Sequence, residues 1–536
     1  MSVTRREWLW VAVAAGIVLL VATLPTIAGY LAQTPEDVFL GAVYDVQDYH
    51  SHLAKMQLGA RGELGYRSLF TTEPHPSEPV ILPYILLGYL ASRLGVPLPV
   101  AYQIFRLAGG LALLFALYRF IAMVLSEVAA RRLAFVLAIA SSGLGWLLIG
   151  TPAFSYPNVS PIDFWLADAY TLFGLMTFGH YGWSIAALLM TLIAWRSYAE
   201  DPSPRRLLWL LLLSVAHGFL QVFELVVVDL VIAIDAFRRA YKDRGTLKRS
   251  VVAGVSLALV QGLMAWPYFA GLRYNPMFQV WAQQSRTLSP APHHYLLGYG
   301  LLWLPLVLGM VYALKRKEER FIPLIIWLTL VMVLVYMPGG IQYRWLEGAQ
   351  VPMAILAAVG LSQVAIPWLM KRIPVRASAA KRAWWLTALF VVATMPSHLY
   401  LIGGNTLLAA THWQEAFLIA DEDEAIAWLR KNADVQSPVL AGLRVGNAIP
   451  GRNGQRVFFG HWAETMYYSE KEQQVSEFFG DMSDSQRQAL LHEHGIRYVF
   501  HGPDERSLGD FEPGAVSYLA LRFHADSATV YEVVGP

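Results

Sequence analysis

The segment Asp45-Val-Gln-Asp48-Tyr49-His50-Ser51-His52-Leu-Ala-Lys55-Met-Gln57 brings carboxylates, imidazoles and an amine together in one short stretch. Asp45 and Asp48 are three residues apart, so on a helix they share a face, and His52 lies one turn beyond Asp48. A carboxylate so placed can take the proton of an attacking hydroxyl, which is general-base chemistry. Two carboxylates and an imidazole can instead hold a divalent cation such as Mg or Mn. The plainer alternative is a solvated amphipathic helix whose acids cap its first turn.

Further polar groups follow. Glu73-Pro-His75 continues the same loop, and Asp163-Phe-Trp-Leu-Ala-Asp168 leads to Phe178-Gly-His180-Tyr181. A second acidic loop facing the first is what a shared metal or substrate pocket needs, so the metal candidates are Asp45, Asp48, Asp163 and Asp168. Capping and turn roles explain the same aspartates equally well. The sequon Asn158-Val-Ser160 is a three-letter pattern of little weight. His217, Gln221 and Glu224 have the i, i+4, i+7 spacing of one helical face, either lining a polar cavity or forming an interhelical hydrogen-bond cluster. Arg344 is the only basic residue in its stretch, Gly339 to Gly348, and its guanidinium fork suits phosphate oxygens as well as an interface anchor beside Trp345. His461-Trp462-Ala-Glu464-Thr465 follows a strand candidate and could close over a site or simply pack a small domain. His52, Lys55, Glu73, His75 and His180 complete the candidate substrate-binding set.

These groups must be positioned by a membrane protein. The chain has 536 residues, 56% hydrophobic and only 15% charged, against roughly 25% charged in soluble domains. Mean hydropathy is +0.42. A net charge of +2 and the lack of a basic run interleaved with aromatics argue against nucleic acid. Cysteine is absent, which excludes disulfides and thiolate chemistry. Walker, Rossmann-glycine and His-Glu-x-x-His patterns are also missing, so no nucleotide cofactor is expected.

Apolar stretches near residues 8–30, 100–124, 133–150, 181–198, 251–269, 295–314, 321–337, 351–370 and 384–401 are long enough for the hydrocarbon core. Residues 207–237 read as a hairpin, since basic residues flank both ends and its tip falls near Gly218–Glu224. The first stretch exceeds a signal-peptide core and reads as a retained span. The total is about eleven spans, with basic residues concentrated in alternate loops. That pattern puts the amino end in the cytoplasm and the carboxyl end outside. Residues 80–94 read as a helix lying at the outer face. The expected organisation is a transmembrane module over 1–410, whose first outward loop is 31–99, and an extracytoplasmic α/β domain over 411–536. In the latter, residues 425–432, 470–479 and 485–493 look helical, and 438–443, 456–460 and 497–502 look β-like.

The order of motifs resembles bacterial GT-C glycosyltransferases, the broad group related to protein O-mannosyltransferases and to the aminoarabinose transferase of lipid A. It is most similar to uncharacterised multi-pass members. The resemblance runs through Asp48-Tyr-His-Ser-His-Leu-Ala-Lys-Met-Gln-Leu-Gly59, Gly62-Glu-Leu, Glu73-Pro-His75 and Ser142-Gly-Leu-Gly-Trp146. It continues with Asp163, Phe178-Gly-His-Tyr181, Gln342-Tyr-Arg-Trp345 and Gly460-His-Trp-Ala-Glu-Thr465. It implies transfer of a sugar from a polyprenyl-phosphate donor to a protein, lipid or glycan acceptor on the outer side, with inversion. It also implies an aspartate of the first outward loop as base and, in some members, a divalent metal shared with the second loop. The family often has adjacent acids there, whereas Val46 and Gln47 separate Asp45 from Asp48, so both remain candidates for the base. Two other readings compete: a lipid or glycan transporter or flippase, and a non-catalytic assembly protein for envelope polysaccharide. A transporter would favour internal repeats and midplane sites, but here the ionisable groups gather in loops.

Overall fold

The computed structural model describes residues 3–155, 160–372 and 378–534, so Asn158 of the sequon and Arg376 of an expected inner loop lie outside the described residues. Six helices among the described residues are long and apolar enough to cross a membrane: Arg5–Ala32, Leu98–Val124, Val128–Leu148, Arg244–Tyr274, Pro292–Lys315 and Gln350–Arg372. A bent pair, Ala379–Ala393 with Pro396–Ala410, makes up to seven if it forms one span. The protein is a multi-pass membrane protein. The other expected spans are also helical, over Gly179–Glu200, Pro204–Leu220, Leu225–Lys242 and Ile322–Leu334, but each is shorter or more polar than a lone crossing requires.

The chain forms two compact units. The first comprises residues 1–24, 105–265 and 287–404, and the second 25–104, 266–286 and 405–536. In the first unit the helices approach through small residues. A Cβ on Gly182 would strike the backbone of Gly109, the close packing typical of membrane helices. Glu7, Arg131 and Tyr118 form a buried network there, with Arg131 2.9 Å and Tyr118 2.8 Å from the carboxylate.

Among the described residues, the second unit carries all the strands. Strand β1 (Asp37–Phe39) pairs antiparallel with β2 (Phe417–Ile419). Strands β3 (Val439–Leu440), β4 (Tyr498–His501), β5 (Leu519–His524) and β6 (Thr529–Val533) form a sheet of order β3-β4-β6-β5, parallel only between β3 and β4. Leu440, Phe458, Phe478, Phe479 and Val499 fill one of its cores. The helices expected near 425–432, 470–479 and 485–493 are present as Ala420–Asn432, Tyr468–Phe479 and Asp484–Glu493. The strand expected over 456–460 reduces to a single bridge between Val457 and Val439.

The helix Val46–Ala60, with Asp48 in its first turn, governs the position of the polar segment. It ends where Gly62 adopts φ +85°. There the Glu63 and Gly62 N–H groups return to the Leu58 and Gly59 carbonyls, the Schellman pattern that a left-handed glycine permits. The helix packs on Leu82–Arg93 almost backbone to backbone. A Cβ on Gly59 would collide with the Ile85 carbonyl, and one on Gly88 with the Met56 carbonyl. Backbone cannot rotate away as a flexible side chain can. Gly59→Ala and Gly88→Ala are therefore each expected to destabilise the protein by about 3 kcal/mol, the upper end of overpacking costs. Thermal unfolding of the purified full chain measures this, and an unchanged midpoint for both would contradict the packing.

Candidate active site

Asp45 does not share a helical face with Asp48. It is the N-cap residue, in the left-handed region at φ 53°, so the helix that would align the two begins only at Val46. Asp48 accepts a hydrogen bond from His461 Nε2 at 2.8 Å, and its side chain is 27% exposed. The backbone N–H groups of Ala463 and Glu464 both donate to His461 Nδ1, at 3.1 and 3.2 Å. Nδ1 therefore carries the lone pair and Nε2 the proton, which fixes the ring as a donor to Asp48. Burial opposes ionisation of Asp48, but the hydrogen bond from His461 and the nearby charge of Lys55 outweigh it and hold the carboxyl well below the usual range. The first turn of a helix also favours a negative charge.

One turn further along the helix, Ser51 and Lys55 bind Glu464 Oε1 at 2.5 and 2.6 Å, and Tyr66 donates to Oε2 at 2.8 Å. Ser68 donates to the Glu464 backbone carbonyl at 3.0 Å. Lys55 and Glu464 are buried, and the lysine charge together with these hydrogen bonds overcomes desolvation to keep the Glu464 carboxyl below its ordinary value. His52 stacks on Tyr84 with ring centroids 4.1 Å apart. Asp48, His461, Lys55 and Glu464 thus come together, with His52 on the same helix.

Glu73 and His75 are engaged by the protein itself. His75 Nε2 accepts from the Ser68 N–H at 3.0 Å, and its Nδ1 lies 2.8 Å from the Glu73 carbonyl. Glu73 takes Lys471 at 2.7 Å, beside Thr71. Burial pushes the Lys471 ammonium down to about 8, against the pull of Glu73. An unfolded lysine titrates near 10.4, so between about pH 8 and pH 10 the unfolded chain holds more protons than the folded one. Stability from this group must therefore rise with pH across that window. Denaturation of wild type and Lys471→Met should differ in this way, with the rise lost in the variant.

The first unit has its own polar cluster. The helix Pro204–Leu220 stops before Gln221, and Glu224 sits in a 3₁₀ turn, so His217 and Glu224 meet across a break in the helix rather than on one helical face. His217 Nε2 is 3.1 Å and Ser184 Oγ 2.9 Å from Glu224 Oε2. Glu347, which sequence spacing did not single out, is hydrogen-bonded to Glu224 and accepts from Gln221 at 3.1 Å. Both carboxyls lie in turns. Burial and their mutual repulsion raise Glu347 well above the ordinary range, and burial pushes Glu224 up to about 7, so the pair holds a proton at neutral pH. Arg344 lies 3.8 Å from Asp168 and over the Phe223 ring, and Tyr181 hydrogen-bonds Asp168. His180 packs against the rings of Phe178 and Tyr181. Asp163 is fully buried, accepting from the Gly145 N–H at 3.0 Å and the Ser397 hydroxyl at 2.6 Å. Burial pushes its carboxyl up to about 6.

No group of three or more His, Cys, Asp or Glu among the described residues is placed to hold a metal ion.

Comparison with known proteins adds the fold. The apo oligosaccharyltransferase of Archaeoglobus fulgidus matches with a TM-score of 0.53 at 14% identity, over 96% of this chain and 73% of that one. The arabinofuranosyltransferase AftD from Mycobacteria matches with a TM-score of 0.56 at 13% identity, over all of this chain and 40% of that one. The chain has the GT-C glycosyltransferase fold. No family model and no curated protein matches the sequence. The GT-C fold is thus carried by a sequence only distantly similar to these enzymes, and the chain spans about two-fifths of the length of AftD.

Proposed function

We propose that this protein transfers a sugar from a polyprenyl-phosphate-linked donor to an acceptor at the outer face of the membrane, with inversion, and that Asp48 is the base. The observation that carries this reading is the Asp48–His461 pair at the head of the first-loop helix, in a fold shared with two glycosyltransferases. The acceptor oxygen attacks the anomeric carbon from the face opposite the phosphate. The carbon–oxygen bond to phosphate breaks, its electron pair leaves with the phosphate, and the acceptor proton passes to Asp48. A carboxylate held this acidic is a weak base, but it is charged at all working pH values. It suits a reaction whose leaving group is already activated and whose proton moves late. His461 positions the carboxylate and loses no proton in the step. Arg344 is assigned to a phosphate on its chemistry alone. On this reading the amino end lies inside and the C-terminal sheet outside.

The test is transfer from radiolabelled polyprenyl-phosphate hexoses by the protein in nanodiscs, with and without chelator. Turnover that survives chelation and disappears in Asp48→Asn is expected. Absence of sugar release from every donor would remove the transferase reading. Loss of turnover on chelation would reopen a metal role for Asp45 and Asp48.

A further inference from the structure

A cavity of about 400 Å³ opens in the first unit where the helices Gly179–Glu200 and Leu225–Lys242 end. It is far from the Glu224 cluster: Asp235, on its wall, is about 16 Å further along the helix axis than Glu224. Its floor is apolar, built from buried Phe120, Trp195, Val231, Leu324 and Trp327. Its rim is charged, with five cations (Arg196, Arg238, Arg239, Lys242 and Arg320) against four carboxylates (Glu200, Asp235, Asp243 and Glu319). The acids are largely occupied. Buried Asp235 accepts from Trp195, Arg238 and Arg239 at 3.1, 2.8 and 2.6 Å, and Glu319 is shared by Arg238 and Lys242. Donors remain: Arg239 gives Asp235 only its Nε–H, and the buried Arg238 Nε forms no hydrogen bond among the described residues.

We propose that this cavity binds the phosphate of a membrane amphiphile, an anionic phospholipid whose first methylenes lie on the tryptophan and leucine floor. Guanidinium donors left over at a water–hydrocarbon boundary match a phosphodiester. A free anion would have no use for an aromatic and aliphatic floor. The volume falls in the range of small-molecule sites and accommodates a headgroup with the start of its chains, not a whole lipid. Four of the cations stand near the C-terminal ends of the helices Gly179–Glu200 and Leu225–Lys242, and Arg320 in the short turn Glu319–Phe321. Basic residues at these helix ends mark the cytoplasmic side, where anionic lipids are concentrated. The site is independent of the transfer chemistry proposed above.

Delipidated full-length protein should be titrated with phosphatidylglycerol, phosphatidylcholine or inorganic phosphate and read by native mass spectrometry. Selective retention of phosphatidylglycerol is expected. Lys242→Gln with Arg320→Gln turns the rim net negative and should weaken retention by roughly thirtyfold. Val231→Phe should weaken it without changing charge, by filling the floor. Equal retention of the two lipids, retention unchanged in both variants, or inorganic phosphate binding as well as the lipid would each overturn the assignment. If a variant does not fold, the wild-type comparison among the three probes decides alone.

Discussion

Asp48→Asn should reduce the rate of sugar transfer by about a hundred- to ten-thousandfold, the usual contribution of a positioned general base. The amide oxygen still accepts from His461 Nε2, so the helix and the turn around His461 keep their bonding and thermal unfolding should stay near wild type. The same substitution at Asp45, which stands before the helix and away from the His461 pairing, is expected to change the transfer rate by only about severalfold. Comparing kcat for the two variants under saturating donor separates them. A loss equal in both, or confined to Asp45→Asn, would move the base to Asp45. The pH profile offers a second check. Because its surroundings hold Asp48 below the usual carboxylate range, wild-type activity should show no acid limb at the ordinary aspartate value of about 4.

Glu464→Ala should cost about 3–5 kcal/mol of stability. The side chains of Lys55 and Glu464 are only 7% and 8% exposed. Removing the acid leaves a buried ammonium and strands the Ser51 and Tyr66 hydroxyls as well. Replacing both charges, Lys55→Met with Glu464→Met, should recover much of the loss, since a buried pair is worth far less than the penalty for breaking it. Additive losses in the double-variant cycle would show that the two groups are not coupled. Acid should reveal the same pair. The folded Glu464 carboxyl titrates below its unfolded value, so its contribution is present at neutral pH and fades as the pH falls through that lowered value.

Local features of this protein were legible in the sequence because they depend on near neighbours. The Asp48 helix, the short helix after Val80 and the apolar spans follow from composition and periodicity. His461 and Glu464 stood out as residue types, but their partners lie 413 and 409 positions away, and no local pattern carries such a pairing. The helix Leu443–Asn453 escaped notice because Gly446, Pro450 and Gly451 mask its periodicity. Strands β5 and β6 form an antiparallel pair with a bulge between Leu521 and Phe523 and show only weak alternation. Glu347 gave a faint signal at best, an acid three residues after Arg344, and its meeting with Glu224 needs the end of the helix at Gln221.

The small ribbon of β1 and β2 also constrains how the chain is threaded. Asp37 pairs with Ile419 and Phe39 with Phe417, so the segment just after the first long helix and the one just after the last share a single side of the bilayer. Between them the chain must traverse the membrane an even number of times. Among the described residues five unbroken apolar helices fall in that interval, an odd tally that becomes even when the bent pair Ala379–Ala393 and Pro396–Ala410 passes through once. The four shorter helices leave the tally even whether all are counted or none. With Arg5–Ala32 as one more passage the sum is odd, and reporter tags ahead of Arg5 and in the C-terminal sheet should answer from opposite compartments.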